Sequence, residues 1–137
     1  MSGGIDSTVT ALMLHDEGYE VVGITMKTWD YAASGGGKKE TGCCNVDSFN
    51  DARQAAVEHG FAHYILDIRE EFGGFVIENF VDEYLAGRTP NPCVLCNTHI
   101  KWRALLKRAD ALGCDFIATG HYAKIRQHDN GRYVVSK

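Results

Sequence analysis

The chain begins with a short glycine-rich run, S-G-G-I-D-S at residues 2–7, that leads directly into a helical pattern. Gly3 and Gly4 allow a tight backbone turn and a close approach to a ligand, because glycine has no Cβ. Ser2 and Ser7 supply hydroxyl groups, and the positive end of the following helix dipole faces the same place. The run therefore predicts a phosphate-binding loop, which should follow a buried strand in an α/β fold.

Two common phosphate-loop patterns do not fit this run. The P-loop pattern G-x-x-x-x-G-K-[ST] requires a lysine that is not found here, and the dinucleotide pattern G-x-G-x-x-G fails as well. Asp6 lies between the loop and the helix, where its charge would repel a triphosphate unless a cation such as Mg²⁺ intervened. An aspartate at this position also caps a helix without any ligand, and S-G-G occurs in ordinary linkers.

Composition limits the class of protein. A length of 137 residues with 45% hydrophobic and 23% charged residues predicts one globular domain. The net charge of −4 gives no overall electrostatic signature for nucleic acid, so RNA would need a local basic patch or a part of the protein not present here. No apolar run is long enough to span a membrane and no signal peptide is recognisable, so we expect a cytoplasmic protein with no membrane partner.

Helical and strand-like segments alternate along the chain, which predicts right-handed βαβ units and a mostly parallel sheet. Helices are predicted over 6–17, from Asp47 or Ser48 to about 59, over 70–85, and from Asn97 or Thr98 to 112. Strands are predicted over 19–26, 62–67 and 114–119, with a hairpin formed by 123–127 and 132–136. Ligands bind at the carboxyl ends of strands in such sheets, so residues 2–7, 27–29 and 119–121 should converge on one crevice.

A phosphate loop of this type is expected to follow a buried strand, and the sequence given starts at Met1, directly before the loop. The chain also stops one residue after its last predicted strand. We therefore expect residues 1–137 to be one catalytic domain of a longer protein, lacking its first strand. The alternative is a naturally short protein whose central strand is contributed in another way.

Cys93 and Cys96 form a C-x-x-C pair within R-T-P-N-P-C-V-L-C-N. If Asn97 starts the next helix, Cys96 lies at its N-terminus, where the dipole lowers a thiol pKa and increases nucleophilicity. The spacing equally suits a redox disulfide, half of a zinc site or two ligands of an iron–sulfur cluster. Two inert cysteines are the remaining alternative.

The other cysteines and the basic residues carry weaker signals. Cys43 and Cys44 are adjacent and are expected to be small buried side chains or a loop anchor, and Cys114 is expected in the core. Five cysteines without a secretion signal favour thiols, metal ligation or catalysis over a disulfide framework. The basic stretch 101–108 fits a phosphate backbone and a solvated helix face equally well.

The loop resembles the pyrophosphate-binding loop of N-type ATP pyrophosphatases. Together with G-C-C-N-V-D-S-F-N-D-A-R, G-R-T-P-N-P-C-V-L-C-N and A-T-G-H-Y-A, it makes nearly the whole chain similar to the tRNA-specific 2-thiouridylases, the MnmA/TrmU family. That resemblance implies a Rossmann-like PP-loop domain of the adenine nucleotide alpha hydrolase type. It also implies a reaction in which ATP adenylates the 2-carbonyl oxygen of a wobble uridine in tRNA and a persulfide sulfur replaces that oxygen, giving 2-thiouridine, AMP and pyrophosphate.

The resemblance also implies roles for individual residues. The pyrophosphate would be held by Ser2, Gly3, Gly4, Asp6 and Ser7, with Mg²⁺ reaching Asp6 through the ATP. Adenine would contact Met26, and Gly120 would let the nucleotide approach the third strand. The target base would face Asn91, Pro92 and Cys93, and Cys96 would be the nucleophile. The base would have to leave the anticodon stack to reach this crevice.

The chain departs from the family in two respects. Many members have an aspartate where this chain has Cys93, and that aspartate is a candidate acid–base group. Cys93 cannot serve equally well in that role, since its proton chemistry differs; it could instead share an iron–sulfur cluster with Cys96. The family's persulfide-carrying cysteine and tRNA-binding domains lie beyond Lys137. We therefore expect this chain alone to bind nucleotide without completing thiolation, and to depend on a persulfide sulfur-donor protein.

Two functions of other classes compete with this one. The first is an adenylating enzyme that acts on a small molecule, which would release AMP without tRNA. The second is a non-catalytic nucleotide-binding or metal-binding module.

Overall fold

A computed structural model describes residues 1–28 and 46–136 of the chain. Residues 29–45, which include Cys43 and Cys44 and carry no predicted helix or strand, lie outside these residues. In chain order the elements are α1 (Ile5–Asp16), β1 (Val22–Lys27), α2 (Val46–His59), β2 (Ala62–Asp67), α3 (Arg69–Phe72), a π-helical segment (Gly73–Ile77), α4 (Glu78–Leu85), α5 (Pro92–Leu95), a second π-helical segment (Cys96–Lys101), α6 (Trp102–Leu112), β3 (Lys124–Gln127) and β4 (Tyr133–Ser136).

Strands β1 and β2 are parallel neighbours, paired from Val22 with Ala62 to Lys27 with Asp67. Helix α2 lies between them in sequence and packs against both strands. Two parallel strands joined through a helix form a βαβ unit. The predicted α/β class with a parallel sheet is therefore confirmed.

Successive side chains of a strand point to opposite faces of the sheet. Helices cover both faces of the parallel pair. On one face Val21 packs with Ala11 of α1 and Ala56 of α2. On the other face Met26 and Leu66 pack against a second cluster, which consists of Ile68, Val76, Cys96 and Ile100. The chain thus has the three-layer arrangement of a Rossmann-like domain.

The first strand starts later than the sequence predicted, at Val22 instead of residue 19. The end of α1 explains the delay, because the N–H of Tyr19 donates to the Leu14 carbonyl at 3.1 Å across Gly18. Gly18 has a φ of 91°, the left-handed conformation that favours glycine at a helix end. Tyr19 therefore belongs to the helix termination and has no N–H free for the sheet.

The predicted strand over 114–119 is wrong, since no strand is assigned between Leu112 and Lys124. The N–H of Cys114 donates to the Ala109 carbonyl at 2.9 Å, so the start of this segment completes the end of α6. A strand also needs a neighbour for its backbone groups, and β1 and β2 pair only with each other in the described part of the chain. Side-chain propensity was therefore not enough to form a strand here.

The helix after the C-x-x-C pair starts earlier than predicted, at Pro92 instead of residue 97. Asn91 is its N-cap, and the Asn91 side-chain oxygen accepts from the Val94 N–H at 3.2 Å. Proline is favoured at the first helical position because its fixed φ suits a helix and its missing N–H would have no partner there. The structure therefore places Cys93 and Cys96 inside one continuous helix, 92–112.

The two long helical stretches, 69–85 and 92–112, pack side by side near the carboxyl end of β2. Helix α3 contacts the second π-helical segment, and α5 contacts the first one, so the stretches run in opposite directions. The Arg108 guanidinium lies 5.6 Å from the ring centroid of Tyr64, in the middle of β2. Helix 92–112 therefore runs antiparallel to β2, and its first turn lies at the carboxyl edge of the sheet.

The C-terminal residues form the predicted hairpin. Strands β3 and β4 are antiparallel, with Ile125 opposite Val135. The turn is closed by a bond from the Gly131 N–H to the His128 carbonyl at 2.9 Å. The Asn-Gly turn signal was therefore correct, and the hairpin is confirmed.

Candidate functional site

The phosphate loop, residues 2–7, is closed by hydrogen bonds among its own polar groups. The Ser2 N–H donates to Ser7 Oγ at 3.0 Å, and the two serine Oγ atoms are 3.1 Å apart. Ser7 Oγ donates to the Gly4 carbonyl at 3.1 Å. These contacts fold the loop back onto the first turn of α1, so that the two ends of the run lie together.

Gly4 is the N-cap of α1 and has no side chain that could accept from the first-turn N–H groups. The first N–H groups of any helix have no partner within the helix. They carry partial positive charge and point out of the helix end, which makes this end of α1 suitable for an anion. The geometry is compatible with a bound phosphate, and phosphate binding by this loop stays a prediction.

Gly3 is held against the start of α2. A Cβ on Gly3 would lie 2.3 Å from the Ser48 carbonyl oxygen, and Gly3 has a φ of 74°. Only glycine fits both the space and the backbone conformation. Because α2 is reached from the carboxyl end of β1, this contact places the phosphate loop at the carboxyl edge of the sheet.

Gly120 packs against the first turn of α1. A Cβ on Gly120 would lie 2.7 Å from the Ser7 nitrogen and 2.8 Å from the Asp6 carbonyl carbon. Two residues later, the Tyr122 hydroxyl donates to Asp6 Oδ1 at 2.8 Å. The structure therefore brings segment 119–122 onto the phosphate loop, as predicted, although no strand is assigned before residue 119.

The contact with Asp6 also affects Tyr122. The hydrogen bond to the carboxylate, and then its negative charge, raise the pKa of the Tyr122 phenol above its usual value near 10. Tyr122 therefore stays protonated at neutral pH and acts as a hydrogen-bond donor. Tyr122 was not among the predicted site residues, because no local pattern links it to a residue so distant in the chain.

The start of the phosphate loop is bound to β1. The Met1 nitrogen donates to the Ile24 carbonyl, and Thr25 Oγ1 donates to the Met1 carbonyl at 2.7 Å. Thr25 is buried. These contacts fix the loop to the face of β1 that α1 and α2 cover.

The C-x-x-C pair lies at the same edge of the sheet but on the opposite face. Cys93 is exposed in the first turn of helix 92–112, whereas Cys96 is only 4% exposed. Cys96 packs with Ile68, Val76 and Ile100. The prediction that Cys96 lies at or before a helix N-terminus is wrong, because Asn91 starts the helix one turn earlier.

Met26 lies between the two sets of residues. Its side chain packs against the cluster that contains Cys96, while the neighbouring Thr25 contacts Met1 through the other face of β1. The predicted pyrophosphate residues and Gly120 thus form one group, and Met26 and Cys96 form another. Asn91, Pro92 and Cys93 extend the second group along the carboxyl edge, and the roles of all these residues stay predictions.

The metal predictions can be compared with the donor groups present. No group of three or more His, Cys, Asp or Glu side chains that could hold a metal ion occurs in residues 1–28 and 46–136. A single exposed carboxylate at Asp6 suits Mg²⁺, which is usually bound by one or two carboxylates together with substrate phosphates. An iron–sulfur cluster needs more thiolates than Cys93 and Cys96 supply.

The described helices include none that is long and apolar enough to cross a membrane.

Comparisons with known proteins agree with the geometry. A family model described as tRNA methyl transferase HUP domain matches residues 1–137. The chain is 74% identical over 137 residues to the tRNA-specific 2-thiouridylase MnmA of Amoebophilus asiaticus, covering 100% of this chain and 36% of the relative. The corresponding proteins of Cytophaga hutchinsonii and Salinibacter ruber are 71% identical over 137 residues and 66% identical over 139 residues, each alignment covering 100% of this chain and 37% or 36% of the relative.

The chain therefore spans little more than a third of the length of these relatives. The match to the family model covers the chain completely. The chain belongs to the tRNA methyl transferase HUP domain family, as its resemblance to the tRNA-specific 2-thiouridylases predicted.

Proposed function

We propose that the protein containing this chain is a tRNA 2-thiouridylase, a sulfurtransferase that consumes ATP. The main support is the position of the phosphate loop and the first turn of helix 92–112, both at the carboxyl edge of one parallel sheet. Ligands of such sheets bind at that edge. An ATP held at the loop would present its α-phosphate to an acceptor that reaches the edge beside Cys93. The printed names of the relatives identify tRNA as the substrate of those proteins.

The first step would be adenylation of the uridine. The O2 oxygen of the uracil attacks the α-phosphate, the bond between that phosphorus and the bridging oxygen breaks, and pyrophosphate leaves. Residues 2–7 and the N-terminus of α1 would stabilise the charge that develops on the leaving pyrophosphate. Asp6 would bind the Mg²⁺ that accompanies the nucleotide, and the metal would offset repulsion between carboxylate and phosphate.

The second step would be sulfur transfer. The terminal sulfur of a persulfide attacks C2 of the uracil, and AMP leaves with the former O2 oxygen. The Cys96 thiolate then attacks the inner persulfide sulfur, which breaks the S–S bond, leaves sulfur on C2 and forms a disulfide with the carrier cysteine. A thiol reductant restores the two cysteines. This need for reduced thiols agrees with a cytoplasmic location.

Cys96 cannot make this attack from its present position, because it is only 4% exposed. The proposal requires the first turns of helix 92–112 to open when tRNA binds. The π-helical geometry that starts at Cys96 favours such a change, since π turns interrupt regular helical bonding and often occur at functional sites. Cys93, which is already exposed, would lie next to the flipped base with Asn91 and Pro92.

Thiolation of tRNA by purified protein, with a persulfide donor and a thiol reductant present, tests the proposal. We expect Cys96→Ser to abolish formation of 2-thiouridine while ATP binding persists. Cys114→Ser is the matched control, because Cys114 lies at the end of α6, away from the carboxyl edge, and should retain thiolation. Cys93→Ser separates the two cysteines of the pair.

Mass analysis of the tRNA distinguishes the competing functions. Exchange of oxygen for sulfur and addition of a methyl group give different mass gains, so a methylated product would contradict the proposal. AMP released with a free small molecule, while tRNA stays unmodified, would instead indicate a small-molecule adenylating enzyme. Thiolation that persists in Cys96→Ser and is lost in Cys93→Ser would show that Cys96 is not the nucleophile.

The iron–sulfur alternative has its own test. Protein reconstituted anaerobically with iron and sulfide would show visible absorbance and bound iron if Cys93 and Cys96 were cluster ligands. We expect no retained iron, because helix 92–112 buries Cys96 among apolar side chains. Bound iron that is lost in both Cys93→Ser and Cys96→Ser would overturn the persulfide mechanism.

A further inference from the structure

The contact between Tyr122 and Asp6 joins residues 116 positions apart at the edge of the phosphate loop. The Tyr122 hydroxyl donates to Asp6 Oδ1 at 2.8 Å. Tyr122 is 85% exposed, so its ring contributes little to the packed interior. What the contact fixes is therefore the orientation of the Asp6 carboxylate.

The backbone around Tyr122 is itself held in place. Gly120 is pressed against the Ser7 nitrogen and the Asp6 backbone, with no room for a Cβ. Thr119 Oγ1 and His121 Nδ1 are 2.7 Å apart and stiffen the same segment. Tyr122 thus lies in a segment that packs against the first turn of α1, and this packing places its hydroxyl beside Asp6.

Asp6 retains one oxygen for another ligand. Oδ1 accepts from Tyr122, whereas Oδ2 makes no hydrogen bond within residues 1–28 and 46–136. Mg²⁺ requires near-octahedral geometry and tolerates little variation in the direction of its ligands. A carboxylate held through one oxygen presents the other in a restricted direction, which lowers the entropy lost when a metal binds.

We propose that Tyr122 is a positioning residue that orients the Asp6 carboxylate toward the Mg²⁺ of the bound nucleotide. This inference rests on the proposed function, in which the phosphate loop binds ATP with Mg²⁺. Tyr122 need not touch the nucleotide for this role.

Titration of ATP binding against Mg²⁺, by calorimetry on purified protein, tests the inference. We expect Tyr122→Phe to raise the Mg²⁺ concentration that half-saturates ATP binding by about three- to ten-fold, the range that corresponds to the net contribution of one typical hydrogen bond. Binding of ATP with the metal removed by a chelator should not change. Tyr133→Phe is the matched control, because Tyr133 is an exposed tyrosine on β4 with no contact to the loop, and it should behave as the unsubstituted protein.

A double-mutant cycle separates positioning from a general effect. Asp6→Asn should also raise the Mg²⁺ requirement, and adding Tyr122→Phe to it should have no further effect. A further rise in the double variant would overturn the inference, as would an unchanged Mg²⁺ requirement in Tyr122→Phe alone. A lower melting temperature of Tyr122→Phe with an unchanged Mg²⁺ requirement would show that Tyr122 only braces the fold.

The same titration distinguishes failure of the proposed function from failure of the proposed role of Tyr122. If the unsubstituted protein binds no ATP with or without Mg²⁺, the proposed function fails. If it binds ATP with Mg²⁺ and Tyr122→Phe does so equally well, only the role of Tyr122 fails.

Discussion

Replacing Gly3 with alanine should disrupt the phosphate loop through two separate effects. The first is conformational, because a φ of 74° places an alanine in the left-handed region, at a cost of about 1–2 kcal/mol. The second is steric, because the new Cβ would lie 2.3 Å from the Ser48 carbonyl oxygen. The Ser48 Cα and carbonyl carbon are also within 2.8 Å, so the obstacle is backbone and cannot rotate away.

Overpacking of this kind typically costs about 1–3 kcal/mol. The two effects together predict a loss of about 2–5 kcal/mol if the loop stays in place. For a chain of this size, 1 kcal/mol corresponds to about 4 °C in melting temperature. If the loop moves away instead, the melting temperature is preserved and the cradle is lost.

Gly18→Ala isolates the steric effect. Gly18 also has a positive φ, of 91°, but a Cβ there would meet nothing within 4 Å. Gly18→Ala should therefore lose stability through the conformational effect alone and leave ATP binding intact. Thermal unfolding and ATP titration of both variants give the comparison.

The expected result is that Gly3→Ala either melts well below Gly18→Ala or loses ATP binding that Gly18→Ala retains. A Gly3→Ala variant with both the melting temperature of Gly18→Ala and the ATP affinity of the unsubstituted protein would contradict the predicted steric effect. It would mean that the close contact between the phosphate loop and α2 does not exist in solution.

Three further predictions concern the rest of the sheet edge. Asn91→Ala removes the cap of helix 92–112 and should lower stability by about 1 kcal/mol in thermal unfolding, whereas Asn91→Asp should keep it; equal melting of both would contradict the cap. Arg69 lowers the pKa of Asp67 from 3.8 to about 2, so their contact stabilises the fold above about pH 4 and that contribution is lost as pH falls toward 2. The stability lost in Arg69→Ala should therefore be larger at pH 5 than at pH 2, and a loss that grew at acid pH would be inconsistent with the pairing. Under native conditions an alkylating reagent should modify Cys93 first and Cys96 only after unfolding, which peptide mass analysis would detect, and equal rates would contradict the burial of Cys96.

The order of helices and strands was largely readable from the sequence, because it follows from local signals. The apolar spacing of α1 and the β-branched run of β1 each lie within one element. The Asn-Gly turn of the hairpin is equally local. The late start of β1 was not predicted, since it depends on a hydrogen bond from Tyr19 back into α1.

The start of helix 92–112 could have been predicted. Asn91 followed by Pro92 is a recognised helix start, with the cap followed by a proline at the first position. The predicted start at Asn97 or Thr98 was instead more than one turn late, which put Cys96 in the wrong environment. The burial of Cys96 depends on the packing of two helical stretches, and no local pattern encodes it.

The failure at 114–119 has a different cause. Segment C-D-F-I-A-T has strand propensity, but a strand forms only beside a partner, and pairing is a property of the assembled sheet. The contact between Asp6 and Tyr122 could not be predicted from the sequence for the same reason. It depends on two loops that meet only after the chain has folded.

The products formed from ATP are the decisive test of the proposal that ATP adenylates the uridine before sulfur transfer. The protein that contains this chain should be incubated with ATP, Mg²⁺, tRNA, a persulfide donor and a thiol reductant, and the nucleotides and tRNA should be analysed together. We expect AMP and pyrophosphate in amounts that match the 2-thiouridine formed. ADP and orthophosphate, or thiolation that proceeds without ATP, would contradict it.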